Sequence, residues 1–193
     1  MIKVIETVYN GYRFRSRLEA RWAVFFDALD VKYEYEKEGF DIDGIWYLPD
    51  FYLPDYNCWV EIKPKAIISD EDNKKINAFA KNIKDKFIII YGLPRKYKFI
   101  TEDHKANYYI KILAGDGFMD NEVWTNEEFV FALARRAEKP ELCLLTEFAA
   151  INLITNSTDD GERWPISFGL GGAYTAAMQA CFVLKGSING EKK

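Results

Sequence analysis

Hydrophobic and polar positions change period several times along this chain, and each change marks an element. Leu18, Trp22, Phe25 and Leu29 recur at i, i+4, i+7 and i+11, the apolar stripe of one helix. Ser16-Arg17-Leu18-Glu19 has the S-x-x-E form of a capping box, so the helix is expected to start at Ser16 and leave at Asp30. The period then drops to two. Val31, Tyr33 and Tyr35 alternate with Lys32, Glu34 and Glu36, which predicts a strand with the glutamates facing water. Gly39 and Asp43-Gly44 supply turns, and a second strand is expected at 45–52, irregular at Pro49. Asp55-Tyr56-Asn57 turns the chain into a third strand, Cys58 to Lys63, stopped by Pro64.

Ser69-Asp70-Glu71-Asp72 opens a second helix, with acidic residues in its first turn as the helix dipole favours. Ile76, Phe79, Ala80 and Ile83 form its inner face, with Lys74, Lys75, Lys81 and Lys84 outside. Phe87 to Tyr91 is a wholly apolar run, read as a buried strand. Helix, three strands, helix and strand within 100 residues predict a small α/β layer. Beyond Pro94 the pattern weakens. Strands or a hairpin are expected around Tyr97, Phe99, Tyr108 and Ile110, helices at 126–137 and 142–153, and a final helix at 173–184. Residues 1–95 thus form the core and 96–193 a mainly helical C-terminal extension packing on it.

Composition narrows the classes. Of 193 residues 49% are hydrophobic and 16% aromatic, enough to bury a core. The net charge of −4 excludes a general basic coat for nucleic acid but not a local basic face. Charge is uneven: −5 over residues 31–63, then +5 over 64–98. The N-terminal residues lack a signal-peptide pattern, and no run approaches the roughly 20 apolar residues of a membrane span, so an intracellular, cytoplasmic protein is expected. Cys58, Cys143 and Cys181 are scattered and odd in number, which predicts neither a disulfide framework nor a zinc site. The single histidine, His104, reads as a surface residue. Gly169-Leu170-Gly171-Gly172 lacks the lysine of a phosphate loop and reads as a flexible lead into a helix.

The candidate chemistry sits in Leu48-Pro49-Asp50-Phe51 and Trp59-Val60-Glu61-Ile62-Lys63. Side chains alternate on a strand, so Trp59, Glu61 and Lys63 share one face while Val60 and Ile62 take the other. If the two strands pair across the Asp55–Asn57 turn, Asp50 comes alongside Glu61. Two carboxylates there make an oxygen-rich corner suited to Mg²⁺. Lys63 can orient or help deprotonate a water and offset charge growing on a phosphate. Arg13, Arg15, Arg17 and Arg21, continued by Lys65, form a candidate phosphate-binding edge, with ordinary solvated side chains as the alternative.

Pro49-Asp50, ten intervening residues, then Glu61-Ile62-Lys63 resembles the PD-(D/E)XK nuclease superfamily. Arg15-Ser16-Arg17-Leu18-Glu19-Ala20-Arg21-Trp22 resembles its first core helix, and with Tyr33-Glu34-Tyr35-Glu36, Tyr47-Leu48-Pro49-Asp50-Phe51 and Trp59-Val60-Glu61-Ile62-Lys63 it carries a narrower resemblance. The run from Tyr12 to Lys63 is similar to small nuclease-like proteins of phages and prophages, whereas Cys181-Phe182-Val183 departs from their ending. The resemblance implies a restriction-endonuclease-like core and a metal-dependent DNA endonuclease. It implies Mg²⁺, replaceable by Mn²⁺, on Asp50, Glu61 and the Ile62 backbone carbonyl. Lys63 and Glu19 complete the catalytic set, Glu19 serving the metal, the helix cap, or both. DNA is the implied partner, a membrane is not, and a homodimer or protein partner is open. The alternatives are a catalytically silent nuclease-fold binding module, for example a phage anti-defence protein, and a structure-selective resolvase of branched DNA.

Overall fold

A computed structural model of the chain describes residues 6–65, 69–94, 108–114, 129–134, 141–145, 150–154, 158–159, 166–167 and 170–184. It opens with a hairpin of β1 (Thr7–Tyr9) and β2 (Tyr12–Phe14) turned by Asn10-Gly11, both at positive φ. The sequence reading assigned no element here, although Asn-Gly is a hairpin signal. Helix α1 (Arg17–Ala28) follows, with Ser16 as its N-cap accepting the Glu19 N–H. Its buried face is broader than the expected stripe. Glu19, Ala20, Trp22, Ala23, Val24, Phe25 and Phe26 are all buried, whereas Leu18 and Leu29 are only partly so. The helix lies against more than one layer, so a single stripe does not describe it.

The expected strand at 31–36 shortens to β3 (Glu34–Tyr35), because Glu36 turns into the left-handed region at φ 47°. Next come β4 (Phe40–Ile42) and β5 (Ile45–Tyr47), a hairpin turned by Asp43-Gly44. Pro49 splits the expected strand, and β6 (Phe51–Leu53) starts after it. A 3-10 turn at Pro54–Tyr56 and Asn57 at φ 47° lead into β7 (Cys58–Lys63). Helix α2 (Asp70–Asn82), capped by Ser69, then returns the chain to β8 (Lys86–Gly92).

The remaining strands are β9 (Tyr108–Ala114), β10 (Val130–Ala134), β11 (Glu141–Leu145), β12 (Ala150–Asn152), β13 (Thr158–Asp159) and β14 (Ile166–Ser167). Helix α3 (Gly171–Gln179) and β15 (Val183–Leu184) follow. These correct three expectations. The described parts of 126–137 and 142–153 are strands, not helices, because apolar runs such as Val130–Ala134 carry no period and pairing decides them. Among the described residues of 96–193, strand outweighs helix, so the expectation of a mainly helical extension is not met there. The final helix also stops at Gln179, and Val183–Leu184 pairs antiparallel with β1. Tyr97, Phe99, His104 and Gly169 lie outside the described residues.

The central sheet has the order β3-β6-β7-β8-β9 and is mixed, with β7 and β8 parallel and the other pairs antiparallel. Apolar clusters cover both faces. Cys58, Val60, Ile62, Ile88 and Ile90 pack towards α1, whereas Trp59, Phe87 and Ile89 pack with Ile76 and Phe79 of α2. The α1 side also takes Phe129, Phe131, Leu142, Leu144 and Tyr174, so residues from both halves of the chain share one core. Phe129 and Ile110 exchange two backbone hydrogen bonds of 2.8 and 2.9 Å, linking β9 to the start of β10. The fold is mixed α/β, with three α-helices among the described residues.

Candidate active site

Strands β6 and β7 pair antiparallel, with Phe51 opposite Val60 as the last ladder pair. One step further along the same register brings Asp50 level with Glu61. Alternation along β7 puts Glu61 on the α2 side with Trp59, whereas Asp50, just before β6, turns its carboxylate to the edge of β7 and to Arg15. The ladder stops here, yet the Ile62 N–H keeps a partner: it donates to Asp50 Oδ2 at 2.7 Å. A carboxylate thus replaces the backbone acceptor that Pro49 and its irregular neighbourhood do not provide.

Both carboxylates are buried, Asp50 at 3% and Glu61 at 5% exposure. Asp50 Oδ1 accepts from Arg15 Nη2 at 2.8 Å. Glu61 Oε2 accepts from the Tyr47 hydroxyl at 2.8 Å, and Glu61 Oε1 lies 2.7 Å from Lys63 Nζ. Burial, then the charges of Glu61 and Glu19, hold the Asp50 carboxyl well above the usual carboxylate range, against the Ile62 N–H and Arg15. Lys63 is pushed above its ordinary value: burial opposes its charge, but Glu61 beside it prevails. Burial, the Glu61 charge and its hydrogen bond raise the Tyr47 phenol, keeping it a donor.

The α1 side is built around Glu19. Its Oε1 accepts from the Ser16 hydroxyl at 2.6 Å, and its Oε2 accepts from the Arg15 N–H at 3.1 Å and the Tyr35 hydroxyl at 2.7 Å. The cap role and proximity to the carboxylates are therefore both present, since Glu19 also raises Asp50 through its charge. Its back-bond goes to Arg15 rather than to the cap residue's own N–H, a variant of the capping box. Arg15 bridges the two halves of the site, with Nε 2.6 Å from Glu36 Oε1 and Nη2 on Asp50.

Sequence reasoning brought together Glu19, Asp50, Glu61, Ile62 and Lys63, and the fold gathers them. It missed three partners. Glu36, expected to face water, instead turns to Arg15, because its left-handed backbone leaves the strand alternation. Tyr35 and Tyr47 were read as apolar strand positions, yet each hydroxyl holds a site carboxylate. The arginine edge divides. Arg13 pairs with Glu6 on the surface, and Arg17 is exposed, as is Lys65 beyond β7. Arg21 does not face outward: it donates to the Ala177 and Met178 carbonyls at the C-terminus of α3, at 2.5 and 2.8 Å, and covers the Phe182 ring. It satisfies carbonyls that a helix end leaves unpaired.

Glu19, Glu36, Asp50 and Glu61 gather against two cations, Arg15 and Lys63, a formal excess of two negative charges with all four ionised, and that crowding is part of what raises the Asp50 carboxyl. Such a corner can receive a divalent cation on hard oxygen donors. Among the described residues, no three His, Cys, Asp or Glu side chains form a ready-made metal-ligand group, in keeping with the ion pairs that hold these carboxylates. No helix among the described residues is long and apolar enough to cross a membrane. Neither the family models, nor the curated proteins, nor the solved structures contain a match to this chain.

Proposed function

We propose that this chain is a metal-dependent endonuclease of the PD-(D/E)XK type that hydrolyses phosphodiester bonds of DNA. The observation carrying the reading is the buried pair Asp50 and Glu61, level with each other one step beyond the β6–β7 ladder, with the Lys63 ammonium 2.7 Å from Glu61. The donor chemistry fits Mg²⁺ or Mn²⁺: two buried carboxylates and a formal excess of two negative charges. Asp50 and Glu61 would hold the ion, with the Ile62 carbonyl. In an extended strand a residue's C=O faces the same neighbour as its N–H, and the Ile62 N–H faces Asp50. A bound divalent cation would lower the pKa of water and offset charge on the phosphate.

The chain's own residues supply the rest. Lys63, 2.7 Å from Glu61, would orient or help deprotonate the nucleophile and stabilise developing charge. Tyr47 fixes the Glu61 carboxylate. Glu19 fixes the turn at Arg15 and Ser16, and so the approach of α1. Exposed Arg17 and Lys65 are available to phosphates, whereas Arg13 is paired with Glu6 and Arg21 is committed to α3.

The test is cleavage of plasmid, linear duplex, single-stranded and four-way-junction DNA with Mg²⁺ or Mn²⁺, alongside Asp50→Ala and Lys63→Ala. Cation-dependent cutting that falls by on the order of 10²–10³-fold in each variant supports the reading. Full activity in both overturns it. Preference for the junction selects a resolvase. A second reading, a silent binding module, is favoured by the Arg15–Asp50 and Lys63–Glu61 pairs, which compensate both carboxylates without a cation. Folded protein that binds DNA or a protein but cuts nothing supports that reading instead.

A further inference from the structure

Arg15 combines three properties seldom found together. Its main chain is fixed, since its N–H donates to Glu19 Oε2 at 3.1 Å and to the Tyr35 hydroxyl at 3.0 Å. Its side chain is 54% exposed although it reaches an Asp50 side chain only 4% exposed. It also has a second carboxylate to hold, Glu36 Oε1, 2.6 Å from Nε. Apart from this ion pair that buried oxygen has no hydrogen-bond partner. The guanidinium therefore stands between solvent and the buried Asp50 carboxylate on a fixed main-chain position, with Nε held by a different residue, Glu36.

We propose that Arg15 is the protein's own stand-in for the divalent cation: it neutralises Asp50 until a cation binds, then yields Asp50 while keeping Glu36. This rests on the reading of Asp50 and Glu61 as cation ligands. The physical reason is competition. A guanidinium and a divalent ion on one carboxylate repel each other, and in a buried corner that repulsion is weakly screened. Withdrawal is easy because Arg15 need not give up its Glu36 partner, and its exposed side chain has room to move. A planar group with five donors can hold two carboxylates at once, which the lysine ammonium does poorly. The alternative role, a purely structural brace, makes the opposite prediction: removing a brace loosens the carboxylates and weakens cation binding.

Mn²⁺ binding to the intact chain, without nucleic acid, separates the two. Titration calorimetry would compare the wild type with Arg15→Gln, Arg17→Gln and Asp50→Asn, with folding followed by circular dichroism. Arg15→Gln should bind Mn²⁺ about tenfold more tightly, a typical size for coupling between two sites. Arg17→Gln should stay within about twofold of the wild type, since an exposed arginine in solvent acts through screened charge only. Unchanged or weaker binding by Arg15→Gln overturns the proposal while leaving the ligand reading intact if Asp50→Asn alone loses the ion. No Mn²⁺ binding by any of the proteins, wild type included, overturns both. If Arg15→Gln does not fold, Arg15→Lys carries the test. It should bind about threefold more tightly than the wild type, and equal or weaker binding counts against the proposal.

Discussion

The Tyr47 hydroxyl donates to Glu61 Oε2 at 2.8 Å, reaching from a strand before Pro49 to one after the Asp55–Asn57 turn. Tyr47 ends β5, and its ring sits in the α2-side cluster with Phe79 at 4.9 Å and Phe87 at 6.1 Å. A rigid ring thus fixes a hydroxyl, and the hydroxyl fixes a carboxylate. Tyr47→Phe should leave the packing but free one Glu61 oxygen. Partners of metal ligands typically change affinity or activity by roughly 10–100-fold when removed. We expect a loss of that size in Mn²⁺ affinity and in cleavage, with stability lowered by about 1 kcal/mol. Unchanged Mn²⁺ binding by folded Tyr47→Phe would count against a cation on Glu61.

The Glu19 network joins α1, the turn before it and β3. Ser16→Ala should cost about 1 kcal/mol as a lost cap. Tyr35→Phe should also cost about 1 kcal/mol, the net value of one hydrogen bond. Glu19→Ala removes the acceptor for Ser16, Arg15 and Tyr35 together and should cost about 2–3 kcal/mol. Because the three residues share one carboxylate, Glu19→Ala/Tyr35→Phe should be less destabilised than the sum of its parts. Urea unfolding of the four proteins decides it, and strict additivity would show that the contacts act independently.

Lys86 tests a buried charge away from the site. Its Nζ donates to the Tyr56 carbonyl at 2.9 Å, and burial holds its pKa below the ordinary lysine value. Between those two values the unfolded chain binds more protons than the folded one, so stability rises with pH across that window. Lys86→Met removes the titrating group. Its stability relative to the wild type should be highest near neutral pH and decline towards pH 10, read by urea midpoints at several pH values. A difference that stays flat or grows with pH would contradict the burial of the ammonium.

Phe25 ties the early elements to the late ones. Its ring lies 5.8 Å from Phe131 of β10 and 5.1 Å from Tyr174 of α3, beside Trp22 at 5.1 Å. Phe25→Ala should destabilise the fold by about 3–5 kcal/mol through the cavity left behind. Phe25→Leu should cost less than Phe25→Ala, because more of the volume is kept. Proteolysis should then show cuts in 129–180 appearing together with cuts in α1. Early cuts confined to the C-terminal half would show two independently stable layers.

The two periods, with the Ser16 and Ser69 caps and the turn residues, were enough to locate α1, α2 and β7 and to bring Asp50 level with Glu61, and the shortness of the apolar run Phe87–Tyr91 read β8 as a strand. Each of those features is local: a cap reaches three residues, and a short turn sets a register. What lay beyond local reach was decided by packing. Val130–Ala134 and Glu141–Leu145 are apolar runs without a period, so only partner strands and the shared core made them β rather than α. The same holds for Val183–Leu184, which pairs with β1 from the far end of the chain. At the site, sequence supplied the carboxylates, Lys63 beside Glu61 and the Ser16 cap, but not the Arg15 counter-charge of Asp50 or the tyrosine donors. Arg15 meets Asp50 across 35 positions and Tyr35 meets Glu19 across 16. Periodicity says which face of an element is apolar; which polar group lies across from it depends on how the layers stack, and that belongs to the tertiary structure.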